Sequence, residues 1–111
     1  MLPSEVSVEY FVDAGGVSPF AAWFAALDVA AAARVSVAIE RIGRGAVSNV
    51  KGVGEGVLEY RIDAGPGYRI YFGRDGATLV ILLAGGTKRR QNQDIEAAKR
   101  RWADYKARKA V

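Results

Sequence analysis

Three cations in the second half of the chain offer the clearest prospect of chemistry. Arg61 and Arg69 flank the turn Gly65-Pro66-Gly67, and Lys88 follows two glycines and opens the run Lys88-Arg89-Arg90. A guanidinium fork suits bidentate contact with phosphate better than a lysine point charge does. Cleavage of RNA by its own 2′-hydroxyl needs a base, a stabiliser of the charged transition state and an acid for the leaving oxygen. Arg61 and Arg69 are therefore expected to hold the phosphate and Lys88 to move a proton, with Tyr71 expected to stack on a base or pass a proton. Arg89, Arg90, Tyr68 and Lys51 complete the expected RNA-contacting set. Singly these are weak signals: Gly-Gly-x-Lys is a short string and not a phosphate-binding P-loop, and a strand tyrosine is more often packing.

The chain contains no His and no Cys. Disulfides, thiolate nucleophiles, Cys/His zinc sites and every Ser-His or Cys-His pair are thereby excluded, and no cofactor is expected. Any proton transfer falls to Lys, Tyr, Arg, Asp or Glu. The net charge of +4 is unevenly distributed: residues 87–111 hold nine basic and three acidic side chains, residues 1–86 seven and nine. Eleven of the sixteen cations are Arg, which favours a polyanionic partner, although a basic terminal helix also suits a plain solvated face.

These side chains need a scaffold. Val6, Val8 and Tyr10 alternate with polar residues as in a first strand over 5–11, ended by Gly15-Gly16. Ser18-Pro19 is an N-cap followed by proline at the first helical position, and Phe20, Trp23, Phe24 and Leu27 then recur at helical spacing. Asp28 caps a second helix to about Ile42, with a stop at Gly43 or Gly45, so the two form a helical hairpin. Strands are expected over Val57–Ile62, Tyr68–Gly73 and Thr78–Ala84, and a terminal helix from about Asn92 to Lys106 on the stripe Ile95, Ala98, Trp102, Tyr105. The order β-α-α-β-β-β-α describes an α+β fold, an antiparallel-rich sheet with a helical hairpin on one face and a C-terminal helix, in one domain spanning 1–111.

Strand alternation assigns the faces. A turn at Pro66 opposes Arg61 to Arg69, and a two-residue turn at Asp75-Gly76 puts Leu79, Ile81 and Leu83 on the core face with Leu58, Tyr60, Ile62, Tyr68, Ile70 and Phe72. The opposite face collects Glu59, Arg61, Arg69 and Tyr71, with Val80 and Leu82 exposed to a partner. Like charges opposite one another cost stability unless a carboxylate such as Glu59 or an anion lies between them. Residues 1–10 do not resemble a secretory signal, and no apolar run approaches a membrane span, so a cytoplasmic protein is expected.

The blocks Gly56-Val57-Leu58-Glu59-Tyr60-Arg61-Ile62, Gly65-Pro66-Gly67-Tyr68-Arg69-Ile70-Tyr71-Phe72, Leu82-Leu83-Ala84-Gly85-Gly86-Thr87-Lys88 and Gln93-Asp94-Ile95 with Ala97-Ala98 together resemble the HigB-like "addiction module killer" branch of the RelE/ParE toxin superfamily. The resemblance implies a RelE-like fold and the toxin of a type II toxin–antitoxin pair. Such toxins commonly cleave mRNA in the ribosomal A site, and a cognate helix-turn-helix antitoxin holds them inactive. It places phosphate binding on Arg61 and Arg69 and matches Lys88 to the branch's Gly-Gly-x-Lys lysine. Thr87 stands where many members carry Asp. ParE-type relatives poison DNA gyrase without cutting RNA, and that alternative stays open beside a protein that only binds its antitoxin and has no RNase activity.

Overall fold

The computed structural model describes residues 6–45 and 48–110. Strand β1 (Ser7–Tyr10) leads to helices α1 (Pro19–Ala25) and α2 (Val29–Gly43), followed by β2 (Val50–Gly54), β3 (Val57–Ile62), β4 (Tyr68–Asp75) and β5 (Leu79–Thr87). One 3-10 turn over Lys88–Arg90 then feeds α3 (Gln91–Lys109). The five strands form a single sheet in the order β1-β5-β4-β3-β2, parallel only between β1 and β5. This is an α+β architecture compatible with the RelE-like fold, with the helical hairpin on one face and α3 on the other. Among the described residues, no helix is long and apolar enough to cross a membrane.

The helix starts follow from their caps. Ser18 Oγ accepts from the Ala21 N–H at 3.2 Å and Asp28 Oδ1 from the Ala31 N–H at 2.8 Å, satisfying donors that the first turn leaves unpaired. Phe20, Val35, Ala38 and Ile42 then pack on Tyr60, Ile70, Phe72, Val80 and Leu82 to form one core. Each large apolar side chain fully buried there contributes about 1.5–3 kcal/mol. A second core lies under α3, where Ala98 and Trp102 meet Val57, Tyr71, Ile81 and Leu83.

The expected register holds between β3 and β4, where Arg61 opposes Arg69. It fails between β4 and β5. Asp75 pairs with Leu79 across a three-residue loop, and Leu83 forms a bulge between the Phe72–Leu82 and Tyr71–Ala84 pairs. Changing the parity of the register turns every side chain over, so Val80 and Leu82 face the helical hairpin, 1% and 0% exposed, while Ile81 and Leu83 face α3. The expected exposed apolar pair for a partner is therefore corrected: both residues are core.

Strand β2 is an addition to the expected order. Its sequence Val50-Lys51-Gly52-Val53-Gly54 carries two glycines and a register shift between Gly52 and Gly54, which conceals the alternation of an edge strand. The β2–β3 connection has only Glu55 and Gly56 between the paired Gly54 and Val57, both at positive φ, as a two-residue type I′ hairpin requires.

Candidate functional site

Glu59, Arg69 and Tyr71 lie on the sheet face that α3 covers, and all three are buried, with 1%, 6% and 0% exposure. Glu59 Oε2 accepts from Gln91 Nε2 at 2.9 Å and sits 3.8 Å from Arg69 Nε. Its Oε1 lies 3.7 Å from Nζ of Lys51, the residue paired with Glu59 across the β2–β3 ladder. Gln91 reaches the carboxylate because the first turn of α3 starts directly above the end of β5. Burial, and then the charge of Glu59, raise the Tyr71 hydroxyl well above the ordinary tyrosine range. That hydroxyl, Arg69 Nε and Asp94 Oδ2 have no hydrogen-bond partner among the described residues. Burial raises the Asp94 carboxyl, against the pull of Arg90 and Arg101.

Lys88 is held beside Arg69 through a single carbonyl. Gly67 O accepts from the Lys88 N–H at 3.0 Å and from Arg69 Nη1 at 2.9 Å. Gly67 adopts φ 74°, and a Cβ there would lie 3.3 Å from Arg69 Nη1 and 3.6 Å from Lys88 Cβ. The turn closing the β3–β4 hairpin thus ties the Arg69 guanidinium to the backbone of Lys88. Exposed Lys88, Arg89 and Arg90 line a cleft of about 340 Å³ with Gln91, Asn92 and Gln93.

Arg61 opposes Arg69 in register, and each finds its own carboxylate: Arg69 is paired with Glu59, and Arg61 Nε lies 3.2 Å from Asp63 Oδ1. The side chain of Arg61 is half exposed, whereas Tyr71 is sealed under α3, so its ring offers no face to a base in this conformation. Tyr68 lies at the other face, half-buried, with its ring edge-on to Trp23 at 6.4 Å between centroids. The arrangement is a rim of exposed cations, Lys51, Arg61, Lys88, Arg89 and Arg90, around a buried Glu59–Arg69 pair.

The two glycines before Lys88 serve packing. A Cβ at Gly85 would lie 2.1 Å from Trp23 Cε3 on the hairpin face, and one at Gly86 would lie 1.9 Å from Asp94 Oδ2 on the α3 face. Sequence reasoning did not single out Gln91 and Asp94 as part of this cluster. Their three-residue separation, continued by Ala98 and Trp102, marks the sheet-facing stripe of α3 and carried the signal.

Residues 22–103 match the family described as "Phage derived protein Gp49-like (DUF891)". The chain is also similar to an uncharacterized protein of Haemophilus influenzae, 41% identical over 81 residues, covering 72% of this chain and 82% of that protein. The matched residues run from α1 to α3 and contain every cation of the rim. On both findings, this chain belongs to the Gp49-like family of phage-derived proteins, a toxin-like family related to RelE.

Proposed function

We propose that this protein is the toxin of a type II toxin–antitoxin pair, HigB-like in its branch, and that it cleaves mRNA on the ribosome and so arrests translation in the cytoplasm. The observation carrying this reading is that the Lys88 backbone N–H and the Arg69 guanidinium both bond to the Gly67 carbonyl, beside a cleft lined by exposed Lys88, Arg89 and Arg90. A toxin-like family implies an antitoxin partner, and a helix-turn-helix protein is the proposed one.

In the proposed reaction the RNA 2′-oxygen attacks its own phosphorus and loses its proton to Lys88. The bond to the 5′-oxygen breaks, that oxygen takes the proton from the ammonium just formed on Lys88, and a 2′,3′-cyclic phosphate remains. Arg69 and Arg61 hold the phosphate oxygens, where charge develops. Lys51, Arg89 and Arg90 grip the flanking backbone, and buried Glu59 holds Arg69 beneath it. Primer extension on a translated message after induction tests this reading: cuts within the reading frame support it, and intact mRNA during growth arrest overturns it.

One observation favours a second reading. With Tyr71 sealed and no His in the chain, few groups remain to shuttle protons, which suits a non-catalytic poison of DNA gyrase. Inhibition of supercoiling by purified gyrase in the presence of the protein separates the two.

A further inference from the structure

We propose that the groove between α2 and the end of β3 is a second binding track for single-stranded RNA, continuous through Arg61 with the cleft at Lys88. This rests on the nucleic-acid reading above and adds to it the path of the chain beyond the reacting phosphate.

The groove, a cavity of about 120 Å³, takes Arg34 and Arg41 from α2, Arg61 from β3, and Asn49 and Asp63 from the loops flanking β2 and β3. Arg34 and Arg41 are seven residues apart and so lie two turns apart on one flank of the helix. The stripe Ala31, Val35, Ala38, Ile42 on the adjacent face is buried, which fixes that flank at the groove. Both arginines are exposed, and among the described residues neither forms an ion pair. Among the described residues Asp63 is the only carboxylate in the lining, and Arg61 engages it at 3.2 Å. Three guanidinium groups thus face one carboxylate that is already paired.

Such an excess calls for an anion with repeated charge. The order of the cations favours a nucleic-acid backbone over an acidic protein segment. Lys88 and Arg69 share the Gly67 carbonyl, Arg69 opposes Arg61, and Arg61 lines the groove with Arg41 and Arg34. One polyanion crossing that line meets exposed Lys88, Arg61, Arg41 and Arg34, with buried Arg69 bridging the first two, and all but the first are arginines with a fork suited to phosphate.

The test measures affinity for a single-stranded RNA of about 12 nucleotides, within the span such binders cover, across a salt series from about 50 to 200 mM. Replacing both arginines, Arg34→Gln with Arg41→Gln, is expected to weaken binding and reduce the slope of log affinity against log salt by about 1.4, two phosphate contacts at about 0.7 each. Arg34→Lys with Arg41→Lys keeps both charges and is expected to keep the wild-type slope. An unchanged slope and affinity in the Gln pair overturns the track while leaving the cleft at Lys88 intact. A Gln pair that binds RNA normally but escapes neutralisation by the antitoxin assigns the groove to a protein partner and also overturns the track. Wild-type protein that binds no RNA even at low salt overturns the nucleic-acid reading itself.

Discussion

Glu59 and Arg69 face each other from neighbouring strands beneath the first turn of α3, both almost fully buried, with Nε 3.8 Å from Oε2. The carboxylate is held on its other side by Gln91 and approached by Lys51. Removing one member of such a pair leaves an uncompensated buried charge, which costs about 3–5 kcal/mol. Glu59→Ala is therefore expected to destabilise the protein by that amount in urea denaturation. A loss below about 1 kcal/mol, the range of surface pairs, contradicts the burial that defines this cluster.

The strand end before Lys88 is packed too closely for any side chain. Gly85→Ala directs a methyl group into the Trp23 ring, and overpacking of this kind costs about 1–3 kcal/mol. Gly52→Ala, on the exposed edge strand with nothing within 4 Å of the new Cβ, is the control. Thermal melting of the two variants is expected to show a lowered midpoint for the first and a nearly unchanged one for the second.

Arg101 supports the bulge that reverses the faces of β5. Its Nη1 donates to the Leu83 carbonyl at 2.9 Å, on the residue that the ladder leaves unopposed. Arg101→Ala strands that buried acceptor and is expected to cost about 1–3 kcal/mol. Exposed Arg100→Ala is expected to stay within about 0.5 kcal/mol of wild type. Equal urea midpoints for the two variants would show that the bulge does not depend on this bond.

At the far end of α3, Tyr105 donates to Asp75 Oδ2 at 2.6 Å, and Lys109 pairs with the other oxygen of the same carboxylate. Lys109 and then Tyr105 hold the Asp75 carboxyl below its usual range, while the hydrogen bond to Asp75, followed by burial, pushes Tyr105 up to about 12. Because the folded pKa of Tyr105 is raised, its contribution to stability is fully present below about pH 10 and is lost as pH rises toward 12. That of Asp75 is present above about pH 4 and is lost as pH falls through its lowered value. In an absorbance titration of tyrosinate, Asp75→Ala is expected to move one late-titrating tyrosine back toward about pH 10; an unshifted curve contradicts the pairing.

Much of the scaffold is legible in the residues. Ser18-Pro19 and Asp28 announce the two helix starts through side-chain capping, and the Pro66 turn sets the opposition of Arg61 to Arg69. The register of β5 is not legible, because Asp75-Gly76 promises a two-residue turn and the chain instead uses three loop residues and absorbs an extra one at Leu83. Glycines hide β2 for the same local reason. At the site, charge type and spacing identify the cations, but which arginine takes which carboxylate is decided by tertiary packing: α3 brings Gln91 to Glu59, while Asp63, two residues along the same strand direction, takes Arg61.

Lys88 and its neighbouring arginines are proposed to cut RNA. Ribosomes programmed with a defined message and stalled with a known codon in the A site, incubated with the purified protein, test this proposal most directly. Cleavage at that codon with a 2′,3′-cyclic phosphate end is expected. Lys88→Ala, at an exposed position whose backbone bond to Gly67 is kept, is expected to slow cutting by about 10²–10⁴-fold. Intact message in the wild-type reaction, or cutting that Lys88→Ala leaves unchanged, contradicts the proposal.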